Sequence, residues 1–349
     1  MAEAGSELLA AHTTFHVGGP ARWLLVASTE RELIDAVTTA DETGEPLLLL
    51  GGGSNVLVGD AGFDGTVILI DTRGREVTDE SPCSGAVIRL AAGEVWDDVV
   101  AEAVAHGWSG IEALSGIPGR VGATPIQNVG AYGAEIAQVL ASVRTWDRRL
   151  SERKTFAAAD CGFGYRTSRF KREPDRYVIL EVTLQLRMAT LSAPIRYAEL
   201  ARTLGVEVGD RVEATAVREA VLGLRRGKGM VLDEGDHDTW SAGSFFTNPV
   251  LSVTDAERLP DDAPRFPQPD GRVKSSAGWL IERAGFGKGF RLAADARAGL
   301  STKHTLALTN RGDARADDLL ALARTVRAGV ADVFGIELVN EPILVGCDL

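Results

Sequence analysis

Cysteine is scarce in this sequence. Cys83, Cys161 and Cys347 are the only three in 349 residues, they lie far apart, and no two form a CxxC pair. That excludes a disulfide framework and a zinc ribbon, and fits a protein of the reducing cytoplasm. Long apolar runs are missing too: none approaches the roughly 20 residues that span a bilayer. The opening MAEAGSELLAAHTTF carries Glu3 and Glu7 and no basic patch before an apolar core, so neither a secretory leader nor a membrane anchor is expected. Basic residues are outnumbered, 37 Lys and Arg against 49 Asp and Glu, for a net charge of -12. A nucleic-acid partner is not expected, because neutralising a phosphate backbone takes a basic surface. The five histidines show no metal-ligand spacing, so no catalytic metal is expected. Internal repeats and low-complexity tracts are absent as well.

What is there is a chain that can bury a sizeable core, 45% hydrophobic and 25% charged, of a length that suits two or three domains. An anionic ligand would need a local basic cluster to overcome the global negative field. Arg225, Arg226, Gly227 and Lys228 offer one, though a solvated helix end would read the same way. Periodicity predicts an α+β pattern. Thr29 and Glu32 have capping-box spacing before a helix whose Leu33, Ile34, Val37 and Ala40 share a face and which Gly44 ends. Strands are predicted at Leu47 to Leu50, Thr66 to Ile70, Val87 to Ala91 and Tyr177 to Leu186, with helices from Trp96 to His106 and Glu213 to Leu224. A boundary is expected near the acidic loop of Asp233, Glu234, Asp236 and Asp238. The final third predicts a helix around Ser276 to Ala284, a strand at Thr305 to Thr309, a helix from Ala316 to Phe334 and a closing strand to Val345, together a second, smaller α/β layer.

Two segments carry the chemistry. Gly51, Gly52, Gly53, Ser54 and Asn55 directly follow an apolar strand, where glycine lets successive N–H groups converge on an anion such as a pyrophosphate. The spacing is neither GxGxxG nor GxxxxGK[ST], and a tight turn without a ligand is the alternative. The second segment, Ser115 to Gly133, lies in a stretch from Gly110 to Gly133 rich in glycine and proline, and such long irregular loops in compact domains are usually functional. Its small residues allow close backbone approach to a large flat ligand, whose edges Ser115, Thr124, Gln127 and Asn128 can read. Together the loops imply a cofactor with both a pyrophosphate and an extended ring.

At this point a resemblance becomes definite. The loop pair looks like the FAD-binding domain of vanillyl-alcohol oxidase-type flavoproteins, and the words GGGSNVL and GIPGRVGATPIQNVGAYG resemble the UDP-N-acetylenolpyruvoylglucosamine reductase family. The similarity runs from Thr14 to Ala21 through CGFGYRTSRFK, GSFFTNP, SSAGWLIERAG and STKHTLALTN to the final strand, nearly the whole chain. It implies an α+β fold with a two-lobed FAD-binding domain, residues 1–80 and 81–228, and a C-terminal α/β substrate-binding domain, residues 229–349. It implies non-covalent FAD reduced by NADPH, a UDP-sugar substrate, NADPH leaving before that substrate enters, and a monomer. The implied flavin contacts are the GGGSN loop and Ser115, Gly116, Ile117, Pro118, Gly119, Gly122, Ala123, Thr124, Gln127, Asn128, Gly130, Tyr132 and Gly133.

Hydride delivery to an enolpyruvyl ether throws negative charge onto the adjacent carbon and its carboxylate, so catalysis needs a fixed cation at the carboxylate and a proton donor over the carbon. Arg166 matches the family position that contacts the carboxylate, where a guanidinium can grip it with two parallel bonds. Ser244 matches the proton donor, with room beside Gly243 and two phenylalanines to exclude water. Glu341 matches the active-site glutamate. Alternation places it on one face with Val339, Ile343 and Val345, where an unpartnered carboxyl is costly. Pro342 departs from many family members and points to an edge or bulge there. For the UDP-sugar the resemblance implies Tyr165, Tyr197 in a covering loop from Pro194 to Leu200, Lys228, Asn248 and His304. Thr247 stands where relatives often carry lysine. A flavin oxidase on the same scaffold and a catalytically silent UDP-sugar binder are the rival readings.

Overall fold

The computed structural model describes residues 7–349, so the expectation resting on Glu3 lies outside the described residues. The chain resolves into two compact units: one of residues 22–52 and 65–226, the other of residues 7–21, 53–64 and 227–349.

The first unit is built around an antiparallel sheet in the order Glu152–Ala157, Leu140–Asp147, Tyr177–Met188, Gly85–Ala91, Arg75–Ser81. Tyr177–Met188 is buried along most of its length because it serves two cores. Its Ile179, Val182 and Leu184 join Trp96, Val99, Val100 and Ala103 of the helix Trp96–Ala105. Its Val178 and Leu180 join Leu33, Ile34 and Val37 of the helix Glu30–Thr43. At about 1.5–3 kcal/mol per fully buried large aliphatic side chain, this one strand anchors much of the unit. The helix Glu30–Thr43 begins as read from the sequence: Thr29 accepts from Glu32 N, Glu32 accepts in return from Thr29 N, and Gly44 closes the helix at φ 69°. A smaller sheet, in the order Ala21–Ala27, Phe63–Ile70, Leu47–Leu50, sets the last of these strands parallel to its neighbour and aims it into the glycine loop.

The second unit packs the helix Ala316–Phe334 through Leu319, Leu320, Ala323, Val326 and Val330 onto Leu280 and Ile281 of the helix Ala277–Arg283 and onto Phe245 and Phe246. Asp60 accepts from Ala316 N at 3.0 Å and Asp317 N at 3.1 Å, a carboxylate placed where a helix N-terminus favours negative charge. The strand expected at Thr305 to Thr309 is a turn followed by Leu308–Asn310, because Ala307 N bonds back to His304 O and Thr305 belongs to that turn.

The closing strand also differs from the alternation. Only Ile343–Val345 is regular, paired in parallel with Val56–Val58. Val339 and Ile343 are exposed while Pro342 is buried, so Glu341 does not share a buried face with them. The segment before Pro342 instead bridges antiparallel to Phe246, and the proline, with no N–H to donate, marks the change of partner.

Two outcomes follow from these packing relations. Thr29→Ala should cost roughly 1 kcal/mol, read as a lower denaturant midpoint at unchanged slope. Cys161 is fully buried and burial pushes its thiol up to about 11, whereas Cys83 is exposed. A thiol reagent at pH 8 should therefore modify Cys83 in the native protein and reach Cys161 only after denaturation.

Candidate active site

In the first unit the two glycine-rich segments meet at a point with no room for side chains. A methyl group on Gly52 would lie 2.8 Å from Gly119 Cα, and one on Gly51 would lie 3.3 Å from Arg120 Cγ. The loop then enters the second unit through Gly53, whose φ of 58° and closeness to His12 O leave no alternative to glycine. Among the described residues, the N–H groups of Gly52, Gly53 and Ser54 donate to no protein acceptor. A run of such donors beside glycine-lined backbone is the chemistry a pyrophosphate requires.

The second segment is held in place from behind. Glu94 O accepts from Val121 N and Ala92 O from Gly122 N, fixing the loop beside the end of the strand Gly85–Ala91. The Gly116 peptide is gripped from both sides: Asp97 accepts its N–H at 2.6 Å and Arg225 donates to its carbonyl at 3.1 Å. Burial alone would raise the Asp97 pKa, but the two bonds from Arg218 and the Gly116 N–H outweigh it and hold the carboxyl below the usual range. Burial lowers Arg225 to about 10, with Tyr132 and Asp97 opposing. Arg225 thus faces inward to the loop, while Arg226 beside it is exposed. Ser115 is fully buried and its hydroxyl donates to Glu112 O. Thr124, also buried, donates to Val121 O. Asn128 donates to Glu135 and Gly164 O and accepts from Ala137 N, so its amide ties the loop to the segment carrying Arg166. Ile117, Pro118, Gln127 and Gly130 are half-buried; Ala123 and Gly133 are exposed.

Among the described residues five non-glycines have positive φ, and Asn128, Tyr132 and Arg166 are three of them, at 48°, 48° and 50°. Strain of this kind persists only where the surroundings enforce it, and it concentrates at functional sites. Arg166 donates to Gly130 O at 2.9 Å and its carbonyl accepts from Lys171 at 3.1 Å, so the guanidinium sits at the end of the second loop. It lies 5.9 Å from the Tyr165 ring. Tyr197 meets Tyr132 edge to face at 5.6 Å, and burial raises the Tyr132 hydroxyl to about 12.

In the second unit Ser244 and Glu341 lie on neighbouring segments. Glu341 N donates to Phe245 O at 2.8 Å and Thr247 N to Val339 O at 2.9 Å. Gly243, at φ 71° with open space around it, turns the chain into Ser244, and Ser241 accepts from Gly243 N. Asn55 donates through its side chain to Glu341 O at 3.3 Å, and its carbonyl accepts from Ile343 N at 3.0 Å. His304 Nδ1 accepts from Leu306 N at 3.2 Å, which leaves the proton on Nε2, and Leu306 O accepts from Phe245 N. Asn248 accepts from Ala277 N at the start of a helix, and Lys228 is half-buried. Asn310, not singled out by the sequence, donates to Phe15 O and accepts from Gly312 N and Ala314 N, while its own N–H reaches Trp240 O. Its only signal was its place in the word LTN. Among the described residues no His, Cys, Asp and Glu group of three or more can hold a metal ion, and no helix is long and apolar enough to cross a membrane.

Comparison with known proteins finds relatives over nearly the whole chain. Residues 21–149 match the FAD binding domain model, and residues 235–345 match that of the UDP-N-acetylenolpyruvoylglucosamine reductase C-terminal domain. The chain is 60% identical to the UDP-N-acetylenolpyruvoylglucosamine reductase of Cutibacterium acnes over 341 residues, covering 98% of this chain and 90% of that one. It is 57% identical to that of Streptomyces coelicolor over 352 residues, covering 98% and 90%. The crystal structure of UDP-N-acetylenolpyruvylglucosamine reductase from Thermus caldophilus superposes with a TM-score of 0.65 at 26% identity, covering 99% of this chain and 100% of that one.

Because the methyl of Gly52→Ala would meet backbone rather than a flexible side chain, that substitution should cost roughly 1–3 kcal/mol. Gly223→Ala, in open space within a helix, should be neutral or stabilising. Equal denaturation midpoints for the two variants would contradict the tight crossing.

Proposed function

The chain belongs to the UDP-N-acetylenolpyruvoylglucosamine reductase family, and from that premise we propose that it reduces UDP-N-acetyl-3-O-(1-carboxyvinyl)glucosamine to UDP-N-acetylmuramate with NADPH, in peptidoglycan precursor synthesis. It is an FAD-dependent oxidoreductase. The cofactor loops fit FAD: glycine backbone offers the pyrophosphate unused N–H donors, and the second loop offers small residues to a flat ring. Held there, FAD would supply hydride transfer between NADPH and the terminal carbon of the enolpyruvyl group. Gly51 to Asn55 and the segment from Ser115 to Gly133 would hold it, with Ser115, Thr124 and Asn128 supporting the loop rather than reading the ring. A two-lobed flavin region over residues 1–80 and 81–228 and a substrate domain over 229–349 belong to this reading, with 7–21 and 53–64 packing alongside the latter. So do a monomer, a cytoplasmic location and the lack of a nucleic-acid partner.

The observation that carries the reading is the tie between Asn55 and Glu341. It joins the pyrophosphate loop to the segment that also positions Ser244 through Phe245. In this reading Arg166 holds the substrate carboxylate and stabilises the charge that spreads into it. Ser244 gives its proton to the carbon beside the ether oxygen, and Glu341 supports the charged centre from the adjacent segment. Tyr165, Tyr197, Lys228, Asn248 and His304 contact the UDP-sugar, His304 donating through Nε2.

Ser244→Ala should leave flavin bleaching by NADPH nearly intact and slow reoxidation by the enolpyruvyl sugar by at least about 100-fold, the lower range for a general acid. Stopped-flow absorbance resolves the two half-reactions; equal loss in both would make Ser244 a packing residue.

A further inference from the structure

Resting on the flavin reading above, we infer that Arg120 is a cation for the diphosphate of FAD, a contact beyond the backbone donors of the two loops. Arg120 interrupts an otherwise small-residue segment, Gly119-Arg120-Val121-Gly122. Its stem lies against Gly51, where an added methyl would come within 3.3 Å of Cγ and 3.4 Å of Cβ. Its backbone is clamped: Arg120 bridges Val95, Trp96 N donates to Gly119 O at 3.1 Å and Val121 N to Glu94 O at 2.9 Å. The side chain therefore starts from a fixed point beside Gly51, in the first of the two glycine-rich loops.

The guanidinium shares both of its acceptors with a second arginine. It reaches Gly93 O at 3.1 Å and Asp71 at 3.0 Å, and Arg73 claims the same carbonyl at 2.7 Å and the same carboxylate oxygen. Glu94, a nearby acid, is already engaged by Arg75. Burial lowers the Arg120 pKa, Arg73 lowers it further, and Asp71, Glu94 and Asp98 do not offset them. Two guanidiniums sharing one carboxylate beside a glycine loop form a place where an added anion is stabilised rather than repelled, despite the net charge of -12. A diphosphate accepts a planar fork better than a point charge.

The test titrates flavin-free protein with FAD and with riboflavin, which carries the ring without phosphate. Arg120→Gln should raise the Kd for FAD about tenfold, the effect of about 1.4 kcal/mol, and Arg120→Lys by less, with riboflavin affinity unchanged. Added salt should weaken FAD binding by the parent protein more than by Arg120→Gln. Asp71→Asn, which removes the competing carboxylate, should tighten FAD binding and tests the idea should Arg120→Gln fail to fold. Unchanged FAD affinity in the Arg120 variants, or equal losses for FAD and riboflavin, would overturn the assignment and leave the flavin reading standing. A raised KM for NADPH with unchanged FAD affinity would move the cation to the other nucleotide and overturn it too. A parent protein that binds no FAD at all would bring down the flavin reading and this inference together.

Discussion

The close crossing of Gly52 over Gly119 is the constraint on which the first unit's site depends. Two loops that touch backbone to backbone can present their N–H groups and small side chains to one ligand, but only if both are held without the help of side chains at the contact. The holding is therefore done from behind. Leu47–Leu50 delivers one loop from a parallel pair, and Glu94, Ala92, Asp97 and Arg225 grip the other by its peptide groups. The positive φ values of Asn128, Tyr132 and Arg166 are strain concentrated where the second loop turns back.

Charge is handled by the same division of labour. The chain is acidic overall, yet several of its arginines near the loops are bound to backbone carbonyls or paired with a half-buried acid: Arg225 on Gly116 O, Arg218 on Asp97, Arg166 on Gly130 O. Each such pair orients a group rather than adding much stability, since the cost of taking charges out of water offsets their attraction. The second unit repeats the pattern. Buried Asp238 accepts from Thr302 N at 2.9 Å and Arg311 at 2.7 Å, fixing the turn that leads through Trp240 to Ser241 and on to Ser244.

Much of this was legible in the sequence where one physical signal dominates. The helix Glu30–Thr43 was readable to its cap because Thr29, Glu32 and Gly44 act locally, and the glycine loops were readable because clustered glycine marks backbone that meets backbone, as at Gly52, or turns at positive φ, as at Gly53. The strands Arg75–Ser81 and Glu152–Ala157 were not, since they are largely exposed edges whose charged residues carry no apolar alternation. Glu341 was identified as a site residue, but its setting was misread: alternation assumes one continuous strand, and Pro342 changes partners midway. Arg225 looked like part of a surface basic run, because spacing along a helix does not reveal that its guanidinium turns back onto Gly116. Asn310 and Arg120 carried no signal beyond their place in the words LTN and GIPGRVG; their roles depend on backbone brought near by the fold.

The tie between Asn55 and Glu341 spans 286 positions of chain. During synthesis from the N-terminus, Val56–Val58 therefore waits for its parallel partner until Ile343–Val345 has left the ribosome. Such distant pairings are slow to close and leave edges bare meanwhile. Until that partner arrives, the strand that leaves the glycine loop has no neighbour, and the loop's far end is held only by the residues before it.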